Sequence, residues 1–204
     1  FVGEADKLAF YNVNVIGTSN LLEAIRNQSP ETKIILASSA NVYGNCIADS
    51  IDENIQPQPL NHYAMSKLSM EYISYNYMQD LNIVITRPFN YTGFGQSKDF
   101  IIPKLVHHFK NRQSNILLGN IDVKREFNDI GLVCRYYLGL IFFGIPGETY
   151  NICSGNIYSL KDIISTLKDL TGHYPSIEID QALIRSNELK VLKGSPKKIK
   201  QLMK

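Results

Sequence analysis

The stretch KIILASSANVYG, Lys33–Gly44, decides how the rest of the chain is read. Its opening residues, Lys33–Ala37, are a short, nearly continuous apolar run. That is the composition of a strand buried on both faces of a parallel sheet, not of an alternating, half-solvated one. Working outward, periodic segments flank it on both sides. Upstream, Lys7–Arg26 predicts a helix, with Leu8, Val15, Leu22 and Ile25 at roughly helical spacing. Downstream, Asn61–Met78 predicts a second helix, and the β-branched IVIT of Ile83–Thr86 a second strand.

The alternation continues to the end of the chain. A helix is expected over Ile101–Asn111, a strand over Asn115–Leu118, a helix over Asp129–Phe143 and a strand over Thr149–Cys153. Leu160, Ile163, Ile164, Leu167 and Leu170 form one apolar stripe, so Leu160–Leu170 reads as a helix. Ser159 with Asp162 supplies its capping-box start and Gly172 its stop. Ser176–Asp180 is a candidate strand, and Ser195-Pro196 opens a final helix with an N-cap and a proline at its first position. Alternating strands and helices with continuous apolar strands give an α/β chain whose parallel sheet is covered by helices. Ligands in such sheets bind beyond the carboxyl ends of the strands. Ser38–Gly44 and Arg87–Gln96 are therefore the places to look for chemistry.

Composition bounds the class. The 204 residues are 44% hydrophobic and 20% charged, which is globular composition. The longest apolar run, Leu138–Ile145, is interrupted by Gly139 and Gly144 and falls far short of the roughly 20 residues of a membrane span. A formal net charge of +2, with a lysine-rich C-terminus, is too weak a surplus to argue for nucleic acid. Cys46, Cys134 and Cys153 are isolated, without a CxxC pair, so a reduced, cytoplasmic protein is expected. His107 and His108 are adjacent and diverge on a helix, while His62 and His173 stand alone; no metal site is expected.

Tyr63 and Lys67, in NHYAMSK, share a helix face. A phenol with a pKa near ~10 exchanges protons poorly at neutral pH, and a nearby ammonium favours the phenolate. The pair is thus a workable general acid/base for a carbonyl or alcohol. Spacing alone has little weight: 12 tyrosines and 15 lysines in 204 residues give about one YxxxK match by chance. Context adds to it. Ser38 and Ser39 follow one strand, Asn90 and the Gly93–Gly95 loop follow the next, and all fall at the same sheet edge as the pair.

NVNVIGTSNLLEA (Asn12–Ala24), SSANVYG (Ser38–Gly44), Tyr63/Lys67, TRPFN (Thr86–Asn90), REFNDI (Arg125–Ile130) and TYNICSG (Thr149–Gly155) occur in one order along nearly the whole chain. In that order they resemble the extended short-chain dehydrogenases/reductases, the NAD-dependent epimerase/dehydratase family that modifies nucleotide sugars. RPFNYTGFGQS and the segment Ile184–Lys200 are most similar to GDP-4-keto-6-deoxy-mannose reductases. The resemblance implies a Rossmann-like, doubly wound parallel sheet, its N-terminal part not among these residues, with a smaller C-terminal α/β substrate-binding region. Residues 1–90 would be the partial NAD(P)-binding domain with the catalytic helix. Residues 91–204 would be mainly the nucleotide-sugar region, with some segments returning to the sheet.

Site roles follow from the same resemblance. Tyr63 would be the acid/base, Lys67 its activator and a ribose ligand, Ser39 the partner of the substrate oxygen, and Asn14 the residue that steadies the lysine through water. Ala37 and Phe89 would border an NADP or NAD cofactor, although Phe89 suits a buried core equally well. Asn90, Arg125 and Arg185 would contact the nucleotide diphosphate and Glu188 the ribose hydroxyls, arginine because its forked donors match phosphate oxygens. A homodimer through the Tyr63 helix and its neighbour is expected.

Within the family, 4,6-dehydratases carry a carboxylate shortly after the hydroxyl residue to drive elimination. Ala40 and Asn41 stand there, so reduction of a 4-keto-6-deoxyhexose on GDP is favoured, with 4-epimerisation, elimination or a non-catalytic chain as alternatives. The family's Gly-rich phosphate loop cannot be built from the 13 glycines; the single GxG, Gly93–Gly95, falls too late.

Overall fold

The computed structural model describes residues 6–46, 48–184 and 191–204. Its central sheet has three strands, all parallel: β1 (Lys33–Ala37), β2 (Asn82–Pro88) and β7 (Thr149–Ile152), in the order β1-β2-β7. The register runs from Lys33 opposite Asn82 to Ala37 opposite Thr86, and from Ile85 opposite Thr149 to Pro88 opposite Ile152. All three strands therefore end along one edge.

Side-chain alternation sends the two faces of this sheet to different helices. Ile34, Leu36, Ile83 and Ile85 pack with Leu22 of α2 (Thr18–Gln28) and Met70 of α3 (His62–Tyr75). Val84, Tyr150 and Ile152 pack on the other side with Val133, Tyr136 and Leu140 of α5 (Ile130–Phe143) and Ile199 of α7 (Lys197–Leu202). Helices on both faces explain why β1 and β2 read as unbroken apolar runs.

The second layer is smaller. The strands β4 (Asn115–Leu118) and β9 (Ser176–Ile179) pair in parallel. Leu105 and Phe109 of α4 (Ile101–Lys110), with Leu160 and Ile164 of α6 (Leu160–Thr171), cover them. The α6 capping box is present as read, Ser159 and Asp162 bonding reciprocally and Gly172 ending the helix in the left-handed conformation. Two-residue strands fasten the loops between the layers. β3 (Tyr91–Thr92) pairs with β6 (Asn128–Asp129), and β5 (Lys124–Arg125) lies between β8 (Tyr158–Ser159) and β10 (Val191–Leu192).

Several boundaries differ from the sequence expectation, most by a single residue, and four are instructive. The helix read over Lys7–Arg26 is α1 (Lys7–Tyr11), a π-helical turn over Asn12–Gly17, then α2. The helix that carries Tyr63 stops at Tyr75, with Asn61 as its cap instead of its first residue. The strand read over Ile83–Thr86 extends to Asn82–Pro88. The last helix begins at Lys197 with Pro196 at the cap, one position later than its sequence signal. End positions are set by which backbone donors find partners, and periodicity does not carry that information.

Candidate active site

The carboxyl end of β1 delivers two serines with opposite surroundings. Ser38 donates its backbone N–H to Thr86 O at 2.8 Å, continuing the ladder by one residue. Ser39 then caps the short 3-10 helix Ala40–Tyr43, its Oγ accepting from Asn41 N at 3.2 Å. Both serines are buried.

α3 brings Tyr63 to the same edge. The Asn61 side chain caps the helix by accepting from Ala64 N at 2.9 Å, which fixes Tyr63 in the first turn. The Ser39 side chain lies beside the Tyr63 phenol, near enough to favour its ionised form. Phe10 of α1 packs against the Tyr63 ring edge-to-face, with centroids 5.6 Å apart. One turn further on, Lys67 donates to Ala37 O at 2.8 Å. The Tyr63 hydroxyl, the Ser39 hydroxyl and the Lys67 ammonium are thus gathered where β1 ends.

Burial raises the Tyr63 pKa; the Ser39 side chain works against that rise and Tyr91 adds to it. With the net direction upward, Tyr63 holds its proton at neutral pH. Lys67 directs its ammonium to the Ala37 carbonyl. Burial also lowers the Lys67 pKa, since leaving water penalises the charged form.

Asn14 lies in the π-helical turn and donates to Ser66 Oγ at 2.9 Å, and Ser66 Oγ donates to Tyr63 O at 2.8 Å. Its link is to the backbone of the catalytic turn, through a serine that the sequence reading passed over. Turns of π-helix are rare and concentrate at functional sites. The signal for Ser66 was available: it lies three residues after Tyr63, hence on the same face.

Phe89 is placed in the core. It is 1% exposed, tilted against the Tyr43 ring at 6.3 Å, and clustered with Val42, Ile51 and Cys153. Asn90 is exposed, and its carbonyl is held by Asn128. Arg125 is half-buried on β5, with Nη1 donating to the Lys124 carbonyl at 3.0 Å. Arg185 and Glu188 lie outside the described residues.

Several motif residues turn out to hold the core and not the site. Arg87 of TRPFN pairs with Glu71 of α3 through Nε at 3.0 Å and Nη2 at 2.6 Å, with side-chain exposures of 5% and 0%. Its Nη1 donates to Tyr43 OH of SSANVYG, and that hydroxyl donates to Asn151 of TYNICSG at 2.8 Å. Burial opposes the Arg87 charge, but the Glu71 carboxylate outweighs it and keeps the guanidinium protonated. One buried network therefore joins three of the motifs.

The residues present fit the nicotinamide-riboside end of a dinucleotide. Lys67 uses one of its three N–H donors on Ala37 O, leaving donors for neighbouring hydroxyls. Among the described residues Ser38 Oγ, at the same strand end, is buried without a hydrogen-bond partner, so it has both a donor and an acceptor to offer a bound polar group. Among the described residues no cluster of His, Cys, Asp or Glu could hold a metal ion, and no helix is long and apolar enough to cross a membrane.

Comparison with known proteins identifies the family and the relatives of the chain. The family model described as GDP-mannose 4,6 dehydratase matches residues 5–204. GDP-6-deoxy-D-talose 4-dehydrogenase of Aggregatibacter actinomycetemcomitans is 35% identical over 98% of this chain and 68% of its own length. GDP-6-deoxy-D-mannose reductase of Pseudomonas aeruginosa is 33% identical over 96% of this chain and 68% of its own length. The solved structure of RMD from Pseudomonas aeruginosa, complexed with NADPH, superposes with a TM-score of 0.91 at 30% identity, covering 99% of this chain and 71% of that one. A structure from Burkholderia cenocepacia J2315, described as a candidate epimerase, gives a TM-score of 0.93 at 44% identity, covering 98% of this chain and 66% of that one. The chain thus spans about two thirds of the length of these relatives. With the family model matching residues 5–204 and the serine, tyrosine and lysine gathered at one strand edge, the chain belongs to the GDP-mannose 4,6-dehydratase-like family of extended short-chain dehydrogenases/reductases.

Proposed function

We propose that the chain carries the catalytic and substrate-binding part of an enzyme that reduces a nucleotide-linked 4-keto-6-deoxyhexose with NAD(P)H, GDP being the favoured nucleotide. The observation that carries this reading is the placement of Ser39, Tyr63 and Lys67 together where β1 ends, with Lys67 bonded to Ala37 O at 2.8 Å and the Tyr63 pKa raised by burial. A group that keeps its proton at neutral pH is suited to giving it to an oxygen that becomes an alkoxide. A bound reduced nicotinamide supplies the hydride for the carbonyl carbon. Ser39 orients the carbonyl oxygen, and Tyr63 donates its proton there as the C–O bond becomes single. Lys67 holds ribose hydroxyls and keeps a positive charge close to the phenolate left behind. Asn90, Arg125, Arg185 and Glu188 bind the nucleotide diphosphate and its ribose.

Elimination is disfavoured, because Ala40 is buried and apolar and Asn41 carries an amide where a carboxylate is needed. The 44% identity to the candidate epimerase supports a second reading, 4-epimerisation, which needs the same three residues and no external reductant. Incubation with a GDP-4-keto-6-deoxyhexose and NADPH or NADH separates the two. Stoichiometric oxidation of the nicotinamide supports reduction. Interconversion of 4-epimers without net oxidation supports epimerisation, and neither reaction removes both.

The proposed partner in assembly is a second copy of the chain. Leu8, Val13 and Ile16, with Leu21 of α2 and Met65 and Tyr72 of α3, expose an apolar face beside the catalytic helix. Sedimentation at twice the chain mass is the expected result, and a monomer at all concentrations would remove this element.

A further inference from the structure

Away from Tyr63, a second buried carboxylate is surrounded by donors from distant segments. Glu126 is 1% exposed. One of its oxygens accepts from Gly194 N at 2.6 Å, and the other from Ser154 N at 2.9 Å, Gly155 N at 3.2 Å and Ser154 Oγ at 3.3 Å. Asn128, 3% exposed, accepts from Ser154 N at 2.9 Å through Oδ1. Its backbone N–H and its Nδ2 both donate to the Asn90 carbonyl, at 2.9 and 3.0 Å.

Two side chains thus tie together the loop after β2, the loop after β7 and the segment that ends at Gly194. Gly194 has little freedom to drift: a Cβ there would lie 2.7 Å from Cys153 Sγ and from Phe89 Cε2. A buried carboxylate is weak evidence for stability, since apolar replacements of similar volume often fold as well. Placement is what this one supplies. Glu126 and Asn128 adjoin two of the proposed substrate contacts, Asn90, whose carbonyl Asn128 holds, and Arg125, which directly precedes Glu126.

We propose that Glu126 and Asn128 are positioning residues for the nucleotide sugar, fixing the substrate-contacting loops as one unit against the Tyr63 half of the site. This rests on the nucleotide-sugar reading above. Neither side chain touches the reacting atoms; both act through the backbone they hold.

The test is calorimetric titration of the full chain with GDP and, in parallel, UDP. Glu126→Gln preserves size but turns an N–H group toward N–H donors. A Kd weakened roughly tenfold at unchanged binding stoichiometry is expected, in line with hydrogen bonds to a charged group. A residue that merely holds the fold would lower the binding-competent fraction and leave Kd alone, so an unchanged Kd overturns the proposal whatever the stoichiometry. Asn128→Ala is the second variant should Glu126→Gln fail to fold. Roughly fivefold weakening is expected there, and an unchanged Kd again overturns the proposal. A parent chain that binds neither nucleotide defeats the nucleotide-sugar reading itself, and this inference with it.

Discussion

Lys67 Nζ lies 2.8 Å from Ala37 O, so the catalytic helix is tied to the first strand at the point where Ser39 begins. The lysine thereby holds the strand end that presents Ser39, and does so from one helical turn beyond Tyr63.

The first prediction concerns Tyr63. Tyr63→Phe removes the proton donor and should lower kcat for reduction by about 10²–10⁴-fold. The raised pKa sets the sign of the pH dependence. Reduction uses the protonated phenol, so kcat/KM should stay flat through neutral pH and decline on the alkaline side, above the ordinary phenol value of about 10. A decline centred near neutrality, present in the wild type, would show that burial does not control this phenol.

Lys67→Ala should raise the Kd for NAD(P)H by about tenfold, the loss of one or two charged hydrogen bonds. Fluorescence titration of the nicotinamide measures it. A normal cofactor Kd with lost turnover would instead assign Lys67 to the phenol.

Ser66→Ala interrupts the path from Asn14 to the Tyr63 carbonyl and leaves a half-buried amide short of an acceptor. A loss of about 1–2 kcal/mol in unfolding free energy is expected, with Asn14→Ala adding little in the double variant. Denaturant unfolding of both singles and the double decides it; full additivity would mean that the two residues act separately.

The Arg87–Glu71 pair gives the largest stability effect. Arg87→Met alone strands the Glu71 carboxylate in the core and should cost about 3–5 kcal/mol, whereas Arg87→Met with Glu71→Leu should recover much of it. Tyr43, in the same network, has its pKa pushed up to about 12 by burial. A group raised on folding contributes stability that is present below its unfolded value and lost as pH climbs through the folded one. Stability should therefore hold up to about pH 10 and fall toward pH 12. Thermal scans across that window test it, and a chain equally stable at both ends would contradict it.

Much of this was legible in advance, for definable reasons. The strand at Lys33–Ala37 and the helix at Leu160–Thr171 announce themselves through local apolar pattern and local capping, which depend on neighbours within a few residues. The π-helical turn at Asn12–Gly17 was not legible, because its residues keep helical character and only the tertiary fit distinguishes the turn. Phe89 could have been read as site or core, and burial against Tyr43 and Gly194 placed it in the core.

The sequence by itself determined the alternating α/β order, the family, and the helix face shared by Tyr63 and Lys67, since all of these follow from periodicity and from motif order. Only the tertiary structure decided which motif residues face a ligand and which face each other. Tyr43 and Asn151 meet although 108 residues separate them, and Glu126 reaches Gly194 across 68. Such meetings depend on strand register and on how helices seat against the sheet. Buried polar groups then choose whichever partners the packing brings within reach, and no local pattern in the chain encodes that choice.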